Sequence, residues 1–174
     1  MHITIGVITG GRTQGLERLL ESLADLSFSS ERPAVEVLVM DNHPEQLARA
    51  VCDRFRDRLP VRHEVEPRRG IPFARNAVIA AADPATDAIA FVDDDQTVDA
   101  GWLAELLAVR QRTGADVVTG PAVPRLPEDA PGWIAGSGAF DLLRFPTGTA
   151  RPFAFTHNVL TNMAVFRAVS PHFD

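Results

Sequence analysis

The sequence contains no lysine and no tyrosine, and its only cysteine is Cys52; the seventeen basic residues are all arginine. Each absence removes a chemistry. Without lysine there is no Schiff base, no phosphate-loop lysine and no receiver-type lysine, and without tyrosine there is no phenolic acid or nucleophile. One cysteine closes no internal disulfide and builds no cysteine-based zinc site, which suits a reducing compartment. No run approaches the ~18 to 20 consecutive apolar residues of a membrane span. Met1 leads straight into an alternating strand pattern, without the basic flank and apolar core of an export signal. The expectation is a cytoplasmic protein. A net charge of -6 argues against nucleic acid as a partner, because a phosphate backbone is held by clustered cations. An anionic ligand must instead be met by a few placed arginines, backbone N–H groups or a bound metal.

What is present is an ordinary globular composition, 45% hydrophobic and 23% charged over 174 residues, enough for one domain with a real core. Residues 1–120 alternate strand and helix patterns, the signature of an α/β fold, and residues 121–174 form a second, loop-rich region covering one edge of the sheet. Ile3, Ile5 and Val7 alternate in a first strand, and Leu16, Leu19, Leu20 and Leu23 then recur at helical spacing. Val35 to Asp41 reads as a second strand. Pro44 suits the start of a helix that buries Leu47, Val51 and Phe55. Val61 to Val65 is a third strand, followed by an alanine-rich helix from about Pro72 to Ala82. The fourth strand, Ala88 to Val92, is apolar throughout, as a central parallel strand covered on both faces should be. Asp99 is a candidate N-cap for a helix that turns Trp102, Leu103, Leu106 and Leu107 inward.

The strongest chemical signal is Asp93-Asp94-Asp95 at the carboxyl end of that fourth strand, where open α/β sheets bind ligands. Three adjacent carboxylates repel one another unless a cation is present. Hard oxygen ligands at partial coordination suit Mg or Mn, completed by water and phosphate; the alternative is a solvated acidic turn. Asp41 closes the second strand, either as an acceptor for a base or hydroxyl or as a turn residue before His43-Pro44. Thr9 to Arg12 offers a backbone anion cradle at a helix start. Arg75 interrupts an alanine-rich helix, to pair with one of these acids or to touch a ligand. Trp133 is either a buried anchor or a stacking surface for a sugar ring. His157 reads as a solvated or core histidine.

Four segments in order, Val39 to Pro44, Glu66 to Asn76, Phe91 to Asp95 and Gly120 to Pro124, resemble the family 2 glycosyltransferases, especially bacterial succinoglycan-type exopolysaccharide glucosyltransferases. The resemblance implies a three-layer α/β/α GT-A (nucleotide-diphospho-sugar transferase) fold with a mostly parallel central sheet. It implies a UDP-sugar donor approached by Thr9 and Arg12, with Asp41 accepting from the uracil ring and Arg75 beside the base. The triplet would be the DXD element, with Asp95 and Asp93 on the divalent metal, and Asp93 and Asp94 near the ribose and the metal's waters. The reaction implied is inverting displacement, with glucose as the sugar and a glycan or lipid-linked saccharide as acceptor. Trp133 and Asn162 would lie on the acceptor side.

Thr161 to Arg167 resembles the family segment preceding a Gly-Gly-Phe-Asp-Glu stretch, and Pro171-His172-Phe173-Asp174 resembles the start of that stretch. The catalytic base would follow Asp174, and Asp129, Asp141 and Asp174 are the acids to consider in its place. An apolar patch around Phe153, Phe155, Val159 and Phe166 would invite self-association, with peripheral contact at the inner face of the membrane as a further expectation. Two rivals fit less of the chain. Asp93-Asp94-Asp95-Gln96-Thr97 also matches the motif of haloacid-dehalogenase-like phosphatases, with Asp93 as nucleophile, but there it ends a first strand and needs a later lysine. A non-catalytic nucleotide-sugar-binding remnant is the other.

Overall fold

The computed structural model describes residues 1–29, 31–138, 145–170 and 172–174. Parallel strands buried on both faces need two apolar faces, and the sequence supplies them by alternation. In β1 (His2–Thr9), Ile3, Ile5 and Val7 face one layer, while Thr4, Gly6 and Ile8 face the other. The same alternation divides β2 (Ala34–Asp41) into Val37 and Val39 against Leu38 and Met40, and β4 (Ala88–Asp93) into Ala90 and Val92 against Ile89 and Phe91. With β3 (Val61–Val65), β5 (Val117–Thr119) and β6 (Asn158–Asn162) they form a six-stranded sheet in the order β3-β2-β1-β4-β6-β5.

On one face lie α1 (Thr13–Ala24), α2 (Arg49–Asp53) and α4 (Trp102–Thr113), which bury Leu16, Leu19, Leu20, Leu23, Val51, Leu103 and Leu106. The opposite face is covered by α3 (Ile71–Ala81) and α6 (Met163–Ala168), through Ala74, Val78, Ile79 and Met163. Each fully buried Leu, Ile or Val contributes roughly 1.5–3 kcal/mol, so both layers are held by many such side chains rather than by any single contact. Gly6 lets α3 approach β1: a Cβ there would sit 2.7 Å from Val78 Cγ1. The short α5 (Gly132–Ala135) lies in the long connection from β5 to β6.

Three expectations are corrected. No long helix follows Pro44: residues 43–48 are mostly turns, Leu47 is exposed, and only Arg49–Asp53 is helical, with Val51 and Phe55 buried. The Asp41 carboxylate accepts the Ala48 N–H and thereby holds that segment in a turn. Asp99 does not cap α4, since Gly101 occupies the N-cap position and the Asp99 carbonyl instead accepts from Trp102 N–H. Finally, residues 158–162 are a strand inside the sheet, between β4 and β5, and β6 runs antiparallel to both of its neighbours. Among the described residues no helix is long and apolar enough to cross a membrane.

Candidate functional site

Parallel register brings the strand ends level. Thr9 pairs with Asp41 across β1 and β2, and Ile8 pairs with Asp93 across β1 and β4, so the sequence-predicted acids share one edge of the sheet. There each carboxylate of the triplet has a different environment. Asp94 is fully buried: its Oδ2 accepts from Thr9 Oγ1 at 2.6 Å, and its Oδ1 lies 2.7 Å from Arg12 NH2 in an ion pair without hydrogen-bond alignment. Asp93, partly buried, meets Arg75 NH2 at 3.2 Å. Asp95 is half exposed and accepts from Arg12 NH1 at 3.0 Å. Contact with the Asp94 carboxylate raises the Arg12 pKa above its usual value, so the guanidinium is a fixed cation here.

Helix α1 can start beside the triplet because residue 15 is glycine; a Cβ there would fall 2.5 Å from the Asp94 carbonyl oxygen. Arg75 is brought to Asp93 by α3 and is only 12% exposed, with its guanidinium 5.8 Å above the Phe173 ring and its Nε buried without a partner. Phe173 is held in turn by Asn76, whose amide donates to the Phe173 carbonyl at 2.8 Å and accepts its N–H at 3.1 Å. Of the two roles left open for Arg75, the acid pairing is therefore present.

Asp41 is also fully buried. Its Oδ1 accepts from His43 N–H at 2.9 Å, and its Oδ2 accepts from Ala48 N–H at 2.8 Å and lies 3.3 Å from His63 Nε2. Its neighbour Asn42 fixes the loop before α3, donating to the Glu66 and Arg68 carbonyls and accepting from Gly70 N–H. Glu66 and Arg68 close that loop with a bidentate pair at 2.8 and 2.7 Å. The Arg68 side chain holds the Glu66 carboxyl down at about 2.

The acceptor-side expectations fare differently. Trp133 is 74% exposed, which excludes a buried anchor and leaves the stacking surface. Asn162 is not brought to the acids. Because β6 is antiparallel, its first residue pairs with Val92 at the carboxylate edge and its last, Asn162, pairs with Ala88, roughly 13 Å away along the strand. There Asn162 caps α6 and hydrogen-bonds Asp116. The polar residue of β6 at the site's edge is Asn158, which sequence reasoning passed over. It accepts from Trp102 Nε1 at 2.8 Å and donates to the Pro121 carbonyl at 2.9 Å. A partly apolar pentapeptide with polar ends gave little to mark it as a strand.

Of the expected patch, Phe153 and Phe155 are exposed, whereas Val159 is buried and Phe166 packs into the α3 layer. Asp129 and Asp174 lie on the surface, and Asp141 falls outside the described residues.

A mostly parallel six-stranded sheet with acids at the carboxyl end of a central strand is the architecture of the GT-A glycosyltransferases, and solved structures share it. The mannosyltransferase PcManGT from Pyrobaculum calidifontis, in complex with GDP-Man and Mn2+, matches 97% of this chain and 46% of its own, with a TM-score of 0.69 at 16% identity. S. aureus TarS 1-349 in complex with UDP-GlcNAc matches 97% of this chain and 47% of its own, with a TM-score of 0.64 at 20% identity. Residues 4–170 match the family described as Glycosyl transferase family 2, and the chain belongs to that family. It is also 38% identical over 143 residues to the succinoglycan biosynthesis protein ExoM of Rhizobium meliloti (strain 1021), a match covering 80% of this chain and 44% of that protein's length. The phosphatase alternative lapses with the family match.

Proposed function

We propose that this chain forms the donor-binding part of a glycosyltransferase that moves a sugar, glucose by resemblance, from UDP to a glycan or lipid-linked saccharide. The observation that carries the reading is the division of labour in the triplet: Asp94 is buried and locked, while Asp95 and Asp93 present oxygens at the sheet's carboxyl edge. That donor set fits a Mg or Mn ion, since hard carboxylate oxygens at an open edge leave positions for water and phosphate. Asp95 and Asp93 would hold the ion, which when bound neutralises charge on the departing diphosphate.

The chain's own residues do the rest. Thr9 fixes Asp94 and with it the height of the triplet, Arg12 supplies a positive charge where the diphosphate lies, and Arg75 braces Asp93 beside the nucleoside. Asp41 receives the uracil N–H. Each of its carboxylate oxygens accepts more than one hydrogen, so the base adds to the bonds already made once the His43 segment yields. In the transfer the acceptor oxygen bonds to C1 as the C1–O bond to UDP breaks. UDP keeps the electron pair, the hydroxyl proton passes to a base, and the anomeric configuration inverts. Trp133 and the exposed Phe153 and Phe155 are the surfaces offered for acceptor stacking, self-association or contact at the inner face of the membrane, which would place the protein in the cytoplasm.

Calorimetric titration of UDP in Mn2+ and in EDTA tests this reading. UDP should bind in Mn2+ and lose most of its affinity in chelator or in Asp95→Asn, and equal affinity under all three conditions would refute the assignment.

A further inference from the structure

Arg12 stands in the position of a competitor. Its two terminal nitrogens divide between two acids, NH2 at 2.7 Å from buried Asp94 and NH1 at 3.0 Å from Asp95. The two contacts are unequal. Asp94 has no solvent exposure, while Arg12 and Asp95 are 62% and 52% exposed at the side chain, so the second contact is the weak, water-screened kind that is easily broken. A guanidinium and a divalent cation against the same carboxylate oxygen repel each other.

We infer that Arg12 and the divalent cation compete for Asp95, and that Arg12, displaced but still tethered through Asp94, turns its freed nitrogen to the donor's diphosphate. The inference rests on the donor-site reading above. It follows from charge and reach. Among the described residues the triplet pairs with two arginines, and Arg75 is largely buried against Phe173, so Arg12 is the one with solvent to move into. A planar guanidinium donating from two nitrogens suits a phosphate as well as it suits the carboxylates it leaves. The cation's arrival therefore raises the site's affinity for the diphosphate twice, by its own charge and by the charge it releases.

The test is calorimetry on the intact chain with Mn2+ alone, and then with UDP at saturating Mn2+, for wild type, Arg12→Gln and Arg12→Lys, with melting temperatures recorded alongside. Arg12→Gln should bind Mn2+ alone more tightly, by up to about fivefold, the scale of an exposed ion pair. It should bind UDP in saturating Mn2+ about ten- to 150-fold more weakly, the scale of a hydrogen bond to a charged group. Opposite signs in the two titrations are what a merely structural role for Arg12 does not produce. Should Arg12→Gln melt early, Arg12→Lys keeps the charge and loses the fork: Mn2+ affinity near wild type with weaker UDP supports the exchange. Mn2+ affinity unchanged or reduced in a folded Arg12→Gln overturns the competition, and unchanged UDP affinity overturns the hand-over. If wild type binds Mn2+ but not UDP, the donor reading itself fails, and the Mn2+ titrations still decide the competition.

Discussion

Thr9 Oγ1 donates to Asp94 Oδ2 at 2.6 Å, a fully buried bond between residues 85 positions apart that ties the end of the first strand to the middle of the acidic triplet. Replacing the hydroxyl by a methyl group leaves a buried carboxylate with Arg12 as its remaining charged partner. Thr9→Val should therefore cost about 1.5–3 kcal/mol in unfolding free energy, as expected for a hydrogen bond to a charged group. Thr9→Ser should lose clearly less, because it keeps the donor. Urea unfolding of the two variants checks this, and a larger loss in Thr9→Ser than in Thr9→Val would show that the methyl packing of Thr9, not its hydroxyl, is what matters.

Gly15→Ala tests how closely α1 must approach the triplet. The added Cβ would stand 2.5 Å from a backbone carbonyl, which cannot rotate away as a side chain can. Either helix or loop must shift, at a cost of about 1–3 kcal/mol. The Asp93–Asp95 turn should move with it, so UDP affinity in Mn2+ should fall together with the melting temperature. A variant as stable as wild type would mean that the helix start is freer than its packing implies.

Asp41→Asn separates two duties of one carboxylate. The amide can keep the bond to His43 N–H or to Ala48 N–H but not both, so unfolding should become easier by about 1.5–3 kcal/mol. If the same group also receives the uracil ring, UDP affinity per folded molecule should drop by about tenfold or more, with Mn2+ affinity unaltered. Loss of stability with full UDP affinity would leave Asp41 as an organiser of the turn alone.

Glu66 predicts a pH effect of definite sign. Its carboxyl is held at about 2 against an ordinary 4.5, chiefly by the Arg68 side chain. Because the folded value is the lower one, the folded state binds fewer protons between those limits. The stability contributed is present above about pH 4.5 and is lost as pH falls toward 2. Wild type should exceed Glu66→Gln in urea midpoint at neutral pH, and the gap should narrow in acid. Arg68 is largely exposed, so water screens the pair and the gap should be small. A gap that widens in acid would reverse the assignment.

The parts of this fold legible in the sequence are those where physics writes a period. Ile3, Ile5 and Val7, or Leu16, Leu19, Leu20 and Leu23, announce their element because one face of it must be apolar. The acids were legible for a related reason: a run of three carboxylates directly after an apolar strand serves neither the core nor a helix. Asn158–Asn162 escaped, since a short strand with only Val159 and Leu160 as apolar residues carries no period, and its two asparagines find partners distant in sequence. Apart from the pairing of Arg75 with an acid, the site's contacts escaped too. Nothing local says that Arg12 reaches Asp94 and Asp95, that Asn76 clasps Phe173, or that the Asp41 carboxylate turns back onto its own loop.

The reversed direction of β6 has an evolutionary consequence. β5 ends and β6 begins at the same point, where Gly120 N–H and the Thr119 hydroxyl both donate to the Asn158 carbonyl, so the excursion between them stands on two adjacent feet. Lengthening a loop whose ends are already joined changes its closure entropy only slowly. Residues 121–157 can thus be exchanged, extended or rewritten without disturbing Asp93, which follows the Val92 that pairs with Asn158 on the adjacent strand. A lineage built on this plan can rewrite that excursion while leaving untouched the acids on the neighbouring strand.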